Sequence, residues 1–290
     1  MNDDSRTTKT LGPVSASFIN EFLARGKTVI TLTEAVEVYG NRRLQTIKFI
    51  HELIKRGILA QIKSGLYLIL QMGQESSQLT NWPLIASLLA NNREDYFISH
   101  YSAMRLHGMT NHPLLDVYIT RSKQGRDKKI SSIRYHFIYS KPEHFWGGTR
   151  HWISRQNNVM VSDLERTILD GFDRPDLCGG FKEIVRGIWL KQKEINWDRL
   201  IEYATAYRTK AAVKRLGFIL ELFEIGDSVI PALLNITESS KANVLMDPLG
   251  SKEGTCRTRW HVQVNINIDE MKASTEMIPV AEIDLIAAKL

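Results

Sequence analysis

Histidines, carboxylates and clustered cations are the side chains of this chain whose types and spacing could do chemistry. His100 and His107 stand seven residues apart, two helical turns, so both could face one metal ion with His112 close behind. No carboxylate or cysteine stands at ligand spacing with them, and Gly108 ends their helix before His112. Packing with ordinary hydrogen bonds is the expectation for all three. Asp163, Glu165 and Asp170, with Asp116, could supply the carboxylates of a metal-dependent nuclease, but Glu165-Arg166 stands where an E-x-K would be needed. Ser162 and Glu165 have capping-box spacing, and Arg166 with Asp170 at i, i+4 reads as a helix-surface ion pair. No phosphate-binding loop, dinucleotide fingerprint or nucleophile elbow is present. No catalytic residue, metal or cofactor is therefore expected.

The cations carry a clearer message. Leu44, Ile47, Ile50, Leu53 and Ile54 recur at helical spacing and should face a core. Arg42, Arg43, Gln45, Thr46 and Lys48 then fall on the outward side, near the N-terminal end of a helix spanning 42–56 with Asn41 as its N-cap. That end of a recognition helix meets base edges and phosphates. A solvated helix face is the plainer reading, and what favours DNA is the company the helix keeps. Pro13 and Gly26 bracket a preceding helix, and Thr31 and Glu34 open a second as a capping box that Gly40 closes. After Gly57, the apolar runs 58–62 and 66–70 flank Lys63-Ser64-Gly65 as a hairpin or wing, with Lys63 placed for phosphate or minor-groove contact. This order is that of a winged helix-turn-helix. A second basic group, Arg121, Lys123, Arg126, Lys128, Lys129 and Arg134, lies between two expected strands. It reads either as a solvated loop or as a secondary polyanion contact.

The elements that must position these residues suit two domains in 290 residues, 1–76 and 77–290, divided by the polar stretch 71–80. The second should open with a helix capped by Asn81. Strands are expected at 96–98, 117–120, 134–139, 152–153 or 159–161, and 260–268, where Trp260, Val262, Val264, Ile266 and Ile268 alternate with polar residues. Helices are expected at 100–107, after Ser162, and through 181–234 with breaks near Asn196, Thr209 and Asp227. The fold class is thus α+β, an N-terminal winged helix-turn-helix followed by a larger mixed α+β domain. The net charge of +6 favours polyanions without proving one. Cys178 and Cys256 stand alone, the first ten residues hold no apolar leader, and the longest apolar run, 84–90, is too short to span a bilayer. A cytoplasmic protein with no membrane partner is expected.

Three strings carry a family resemblance: Phe97-Ile98-Ser99-His100-Tyr101-Ser102-Ala103-Met104-Arg105-Leu106-His107-Gly108, then Asp116-Val117-Tyr118-Ile119-Thr120, then Val161-Ser162-Asp163-Leu164-Glu165-Arg166-Thr167-Ile168-Leu169-Asp170. In this order they resemble the AbiEi antitoxins, transcriptional regulators of type IV toxin–antitoxin and abortive-infection systems. The hairpin Lys63-Ser64-Gly65-Leu66-Tyr67 is similar to the family's as well. The resemblance runs over about residues 30–240, and the tail beyond Asn243 has no counterpart in it. It implies an N-terminal domain that binds operator DNA in its own promoter and represses its operon. It also implies a C-terminal antitoxin domain that counters a nucleotidyltransferase-like toxin without requiring a stable complex. The alternative is a nucleic-acid-processing, nuclease-like enzyme that its winged helix targets.

Overall fold

Apolar residues gather into three buried clusters, which helices share with two three-stranded sheets and one six-stranded sheet. The computed structural model describes residues 11–40, 42–70, 82–91, 95–155, 157–207 and 209–276. It begins with α1 (Pro13–Ala24), β1 (Val29–Thr31), α2 (Leu32–Tyr39), α3 (Arg43–Lys55), β2 (Leu59–Lys63) and β3 (Leu66–Ile69). Pro13 occupies the first turn of α1, where its missing N–H costs nothing. Thr31 and Glu34 form the complete capping box: Thr31 Oγ1 accepts from the Glu34 amide at 3.3 Å, and Glu34 accepts from the Thr31 amide at 2.8 Å. Gly40 ends α2 at φ +68°, a conformation that favours glycine. The three strands pair antiparallel in the order β1-β3-β2. Phe18, Phe22, Ile30, Ala35, Ile50, Leu53, Leu59 and Tyr67 close the core between helices and sheet.

Next come α4 (Trp82–Leu89), β4 (Tyr96–Ile98), α5 (His100–Leu106), β5 (Asp116–Arg121), β6 (Lys128–Ile130), β7 (Ile133–Tyr139), β8 (Gly148–Trp152) and β9 (Asn158–Ser162). Their sheet runs β6-β7-β5-β4-β9-β8, with β5/β7 and β4/β9 parallel and the other pairs antiparallel. One face packs Ile98, Ile119, Tyr135 and Val161 against Ile85 and Ala86 of α4, and Ile62 and Leu68 of the β2–β3 hairpin join the same cluster. The first three-stranded sheet and the six-stranded one are thereby sealed by common apolar contacts.

A second cluster joins Met104 of α5 to α6 (Leu164–Asp173), α7 (Phe181–Lys191), α8 (Trp197–Ala206), α9 (Lys210–Leu222) and α10 (Ile230–Thr237). The expected breaks hold: Asn196 caps α8 through the Arg199 amide at 3.0 Å, Thr209 precedes α9, and a short 3₁₀ turn starts at Asp227. A small sheet, β10 (Val244–Leu245), β11 (Thr255–Arg257) and β12 (Val262–Val264), and α11 (Ile268–Glu276) complete the described residues. No helix among them is long and apolar enough to cross a membrane.

Several expectations change. Strand β12 covers only Val262–Val264, because Asn267 Oδ1 accepts from the Asp269 and Glu270 amides and turns the chain into α11. The cap of α6 is Asp163, accepting from the Arg166 amide at 2.9 Å. Ser162 stays in β9, and its hydroxyl pairs with Thr167 at 2.8 Å. Part of the expected basic loop is strand, since β6 folds back on β7 through Ser131 and Ser132. The N-cap position of α3 falls on Arg42 rather than on Asn41, and no side chain among the described residues caps it. The stretch 71–80, the Asn81 cap and the boundary at 76/77 lie outside the described residues.

Candidate nucleic-acid interface

Helix α3 buries Ile50 and Leu53, while Ile47 and Ile54 are half-buried. Phe49 stacks on Tyr39 of α2 with centroids 4.3 Å apart, and both meet Phe18 of α1 edge-on, which fixes the roll of α3. Two residues lie opposite to expectation. Thr46 is fully buried, with its hydroxyl turned back to the Arg42 carbonyl at 3.4 Å, so it faces no ligand. Leu44 is 74% exposed, because it lies 180° round the helix from Leu53, on the line of Lys48, His51 and Lys55.

Arg42, Arg43, Gln45 and Lys48 are all exposed, and among the described residues none of these side chains has a hydrogen bond or ion pair. The first turn of α3 contains no acidic residue. Two arginines therefore sit at the positive pole of a helix dipole with no carboxylate among the described residues paired to them, an arrangement relieved by an anion. Arg43, Ile47 and His51 line one side of a cleft of about 490 Å³, opposite Gln61, Ser64 and Tyr67 of the hairpin. The tip of that hairpin is held to the start of α2 by the Leu32 amide donating to the Gly65 carbonyl at 2.8 Å. His51 is a cleft residue the sequence reasoning missed. Its place three residues after the outward Lys48 was the available signal.

Lys63 is not free at the tip. Its Nζ donates to the Leu88 carbonyl at 3.1 Å and to Asn91 Oδ1 at 2.9 Å, tying the hairpin to α4. Residues of the second basic group also diverge. Lys128 donates to the Ile62 carbonyl, and Arg134 pairs with Asp116 at 2.9 Å. The Arg121 guanidinium lies 5.4 Å from the Phe137 ring centroid. Only Lys123, Arg126 and Lys129 remain as exposed cations without such partners among the described residues. Beside them is a cluster the sequence did not disclose. His136 Nδ1 is 2.6 Å from Asp127 and Nε2 is 2.7 Å from Asp116, which lies on a neighbouring strand. Burial alone would lower the His136 pKa, but the two carboxylates outweigh it and raise it.

The candidate carboxylates are occupied structurally. Asp170 Oδ1 accepts from Arg166 Nε at 2.9 Å and from the Tyr207 hydroxyl at 2.7 Å. That pair is buried, not on the helix surface, because Arg166 also donates to the carbonyls of His144 and Trp146 and lies 4.3 Å from the Trp146 ring centroid. Glu165 accepts from the Asn196 amide at 2.7 Å, and Asp163 from the Tyr203 hydroxyl at 2.8 Å. His100 is buried with Nδ1 2.9 Å from Ser99 Oγ, and His107 Nε2 meets the Ser162 carbonyl at 2.7 Å. Desolvation lowers the pKa of both, favouring neutral rings. His112 is exposed, 3.9 Å from Glu183. Among the described residues no three His, Cys, Asp or Glu side chains are grouped to hold a metal ion.

The architecture is that of a mixed α+β protein, and it has a counterpart among solved structures. The crystal structure of the RV2827C protein from Mycobacterium tuberculosis is similar with a TM-score of 0.64 and 14% identity, over 87% of this chain and 92% of that one. At that identity the likeness is one of fold. No family model matches the chain, and no curated protein does.

Proposed function

We propose that residues 11–70 are a winged helix-turn-helix that binds duplex DNA, in an antitoxin that represses its own operon and counteracts a nucleotidyltransferase-like toxin in the cytoplasm. The observation that carries the DNA half is the outward face of α3, where Arg42, Arg43, Gln45 and Lys48 are exposed and have no internal partner among the described residues. Thirteen residues give α3 a length of about 20 Å, and a major groove about 12 Å wide admits such a helix. In this docking Arg42 and Arg43 meet phosphates at the groove edge, and Gln45 and Lys48 reach base edges. The antitoxin half rests on the family-like strings at 97–108, 116–120 and 161–170, which build β4–α5, β5 and β9–α6 of the second sheet and its helices.

One variant separates the two halves. The full chain carrying Arg42→Ala and Arg43→Ala should fail to shift its own upstream DNA in gels, yet still rescue cells that express the neighbouring toxin. Unchanged gel-shift affinity in the folded variant would refute the DNA half, and failure of the wild type to rescue would refute the antitoxin half. A fragment beginning near Asn81 is a poorer reagent, since removal of Ile62 and Leu68 would open the apolar cluster they share with Ile85.

A further inference from the structure

The outward line of α3 is polar at every position except its leading one. Lys48, His51 and Lys55 follow Leu44 at helical spacing, and Leu44 itself is 74% exposed. Single exposed leucines are common on protein surfaces. This one differs in its setting: it stands in the first turn, between Arg43 and Gln45, where a docked helix comes nearest to base edges. The major groove offers one prominent apolar group, the C5-methyl of thymine, which 5-methylcytosine also carries. Cytosine carries only a hydrogen at that position, and the other groups read there are polar donors or acceptors that a leucine can only desolvate.

We infer that Leu44 is a specificity-determining residue that packs against the C5-methyl group of a pyrimidine in the major groove, selecting thymine over an unmethylated pyrimidine. Gln45, about 100° further round the helix, presents the amide that fits the adenine edge of a T·A pair. The inference rests on the proposed docking of α3 in DNA and adds the base chemistry that it reads. An anion-seeking face made only of Arg42 and Arg43 would hold any duplex alike; Leu44 makes the hold depend on methyl groups.

Uracil differs from thymine only by the missing methyl, which gives a direct test on the full chain. The duplex that the wild type retains most tightly from a random pool is synthesised with thymine or with uracil throughout, and binding is read by fluorescence anisotropy. Removing one contacted methyl should weaken wild-type binding about three- to fivefold, the effect of one buried methyl-sized group. Leu44→Ala should bind the thymine duplex as weakly as the wild type binds the uracil duplex, and should show no difference between them. Leu44→Met, which keeps an apolar tip of similar reach, should restore the preference. Arg43→Ala should weaken binding to both duplexes while leaving their ratio intact. Equal wild-type affinity for the two duplexes overturns the inference and leaves DNA binding standing, as does a thymine preference that persists in Leu44→Ala. Retention of no duplex at all overturns both.

Discussion

Arg43 and Arg166 occupy the first turns of their helices and meet opposite fates. Arg166 is enclosed: Asp170, two backbone carbonyls and the rings of Trp146, Tyr207 and Phe97 surround it. Its helix opens on the Asp163 cap, with Glu165 in the first turn. Arg43 has no ionic or hydrogen-bonding partner among the described residues, and its helix opens on another arginine. A cation at the positive end of a helix is unfavourable by about 0.3–1 kcal/mol unless something compensates. In α6 the fold supplies the compensation. In α3 the described residues supply none, and that difference separates a structural arginine from one left open to an anion.

Denaturation should expose this contrast most strongly at Arg166. Replacing it with methionine leaves Asp170 buried with a single remaining donor, the Tyr207 hydroxyl, and removal of one partner of a buried pair typically costs about 3–5 kcal/mol. Arg43→Ala should cost no more than about 0.5 kcal/mol, as exposed substitutions do. Urea unfolding followed by circular dichroism measures both. Comparable losses at the two positions would mean that Arg43 is structural.

Salt dependence sharpens the same contrast from the ligand's side. If Arg42 and Arg43 each neutralise one phosphate, the slope of log affinity against log salt should fall by about 1.8 in the double alanine variant. An affinity loss with an unchanged slope would place both guanidinium groups at base edges instead.

Much of this was legible in the chain, and the misses have physical causes. Thr31 and Glu34 announce α2 because a capping box is local, and Asn196 and Thr209 mark real breaks for the same reason. Strand β1 is three residues long, too short for a period of two to register, and only its pairing with β3 reveals it. Thr46 and Leu44 were misassigned because helical periodicity in an amphipathic segment blurs at its ends, where core contact stops. Partnerships over long sequence separations were invisible: Lys63 with Leu88, Lys128 with Ile62, and Asp116 with His136 depend on how sheets stack. The outward face of α3 was readable as a basic helix end, whereas the lack of partners for Arg42 and Arg43 among the described residues and the exposed leucine needed coordinates.

Lys63 tests whether an apparent wing cation belongs with Arg43 or with Arg166. Its bonds to Leu88 and Asn91 put it nearer the second kind. Lys63→Ala should lower stability by about 1 kcal/mol, the net worth of such hydrogen bonds, and leave the salt slope of DNA binding unchanged. A slope reduced by about 0.9 at full stability would return Lys63 to the phosphate-contacting group.

The smallest effect belongs to His136, which lies between the two cases: partly buried, and held by carboxylates on both ring nitrogens. Donation from both nitrogens requires the imidazolium. The groups facing it are Asp116 and Asp127, with Arg134 bonded to Asp116 and the Tyr118 ring stacked at 5.3 Å. Because its folded pKa is raised, the stabilisation is complete below the unfolded value of about 6.5 and is lost as pH rises through the higher folded value. Asp116 is depressed, since bonds from His136 and Arg134 outweigh its desolvation, so its own contribution fades only in acid. The expected loss on the alkaline side is under about 1 kcal/mol, given that Asp127 is largely exposed and screened. The Phe137 amide donates to Asp127 Oδ1 at 3.1 Å and serves as the reporter. Its protection against hydrogen exchange, corrected for base catalysis, should fall as the pH rises above about 6.5 in the wild type and stay flat in His136→Ala. Equal curves would show that Asp127 anchors the segment without the imidazolium. If Lys123, Arg126 and Lys129 touch flanking DNA, reversing them to glutamate should flatten the salt dependence of binding. Lys128 should be left in place, because its bond to Ile62 makes it part of the frame.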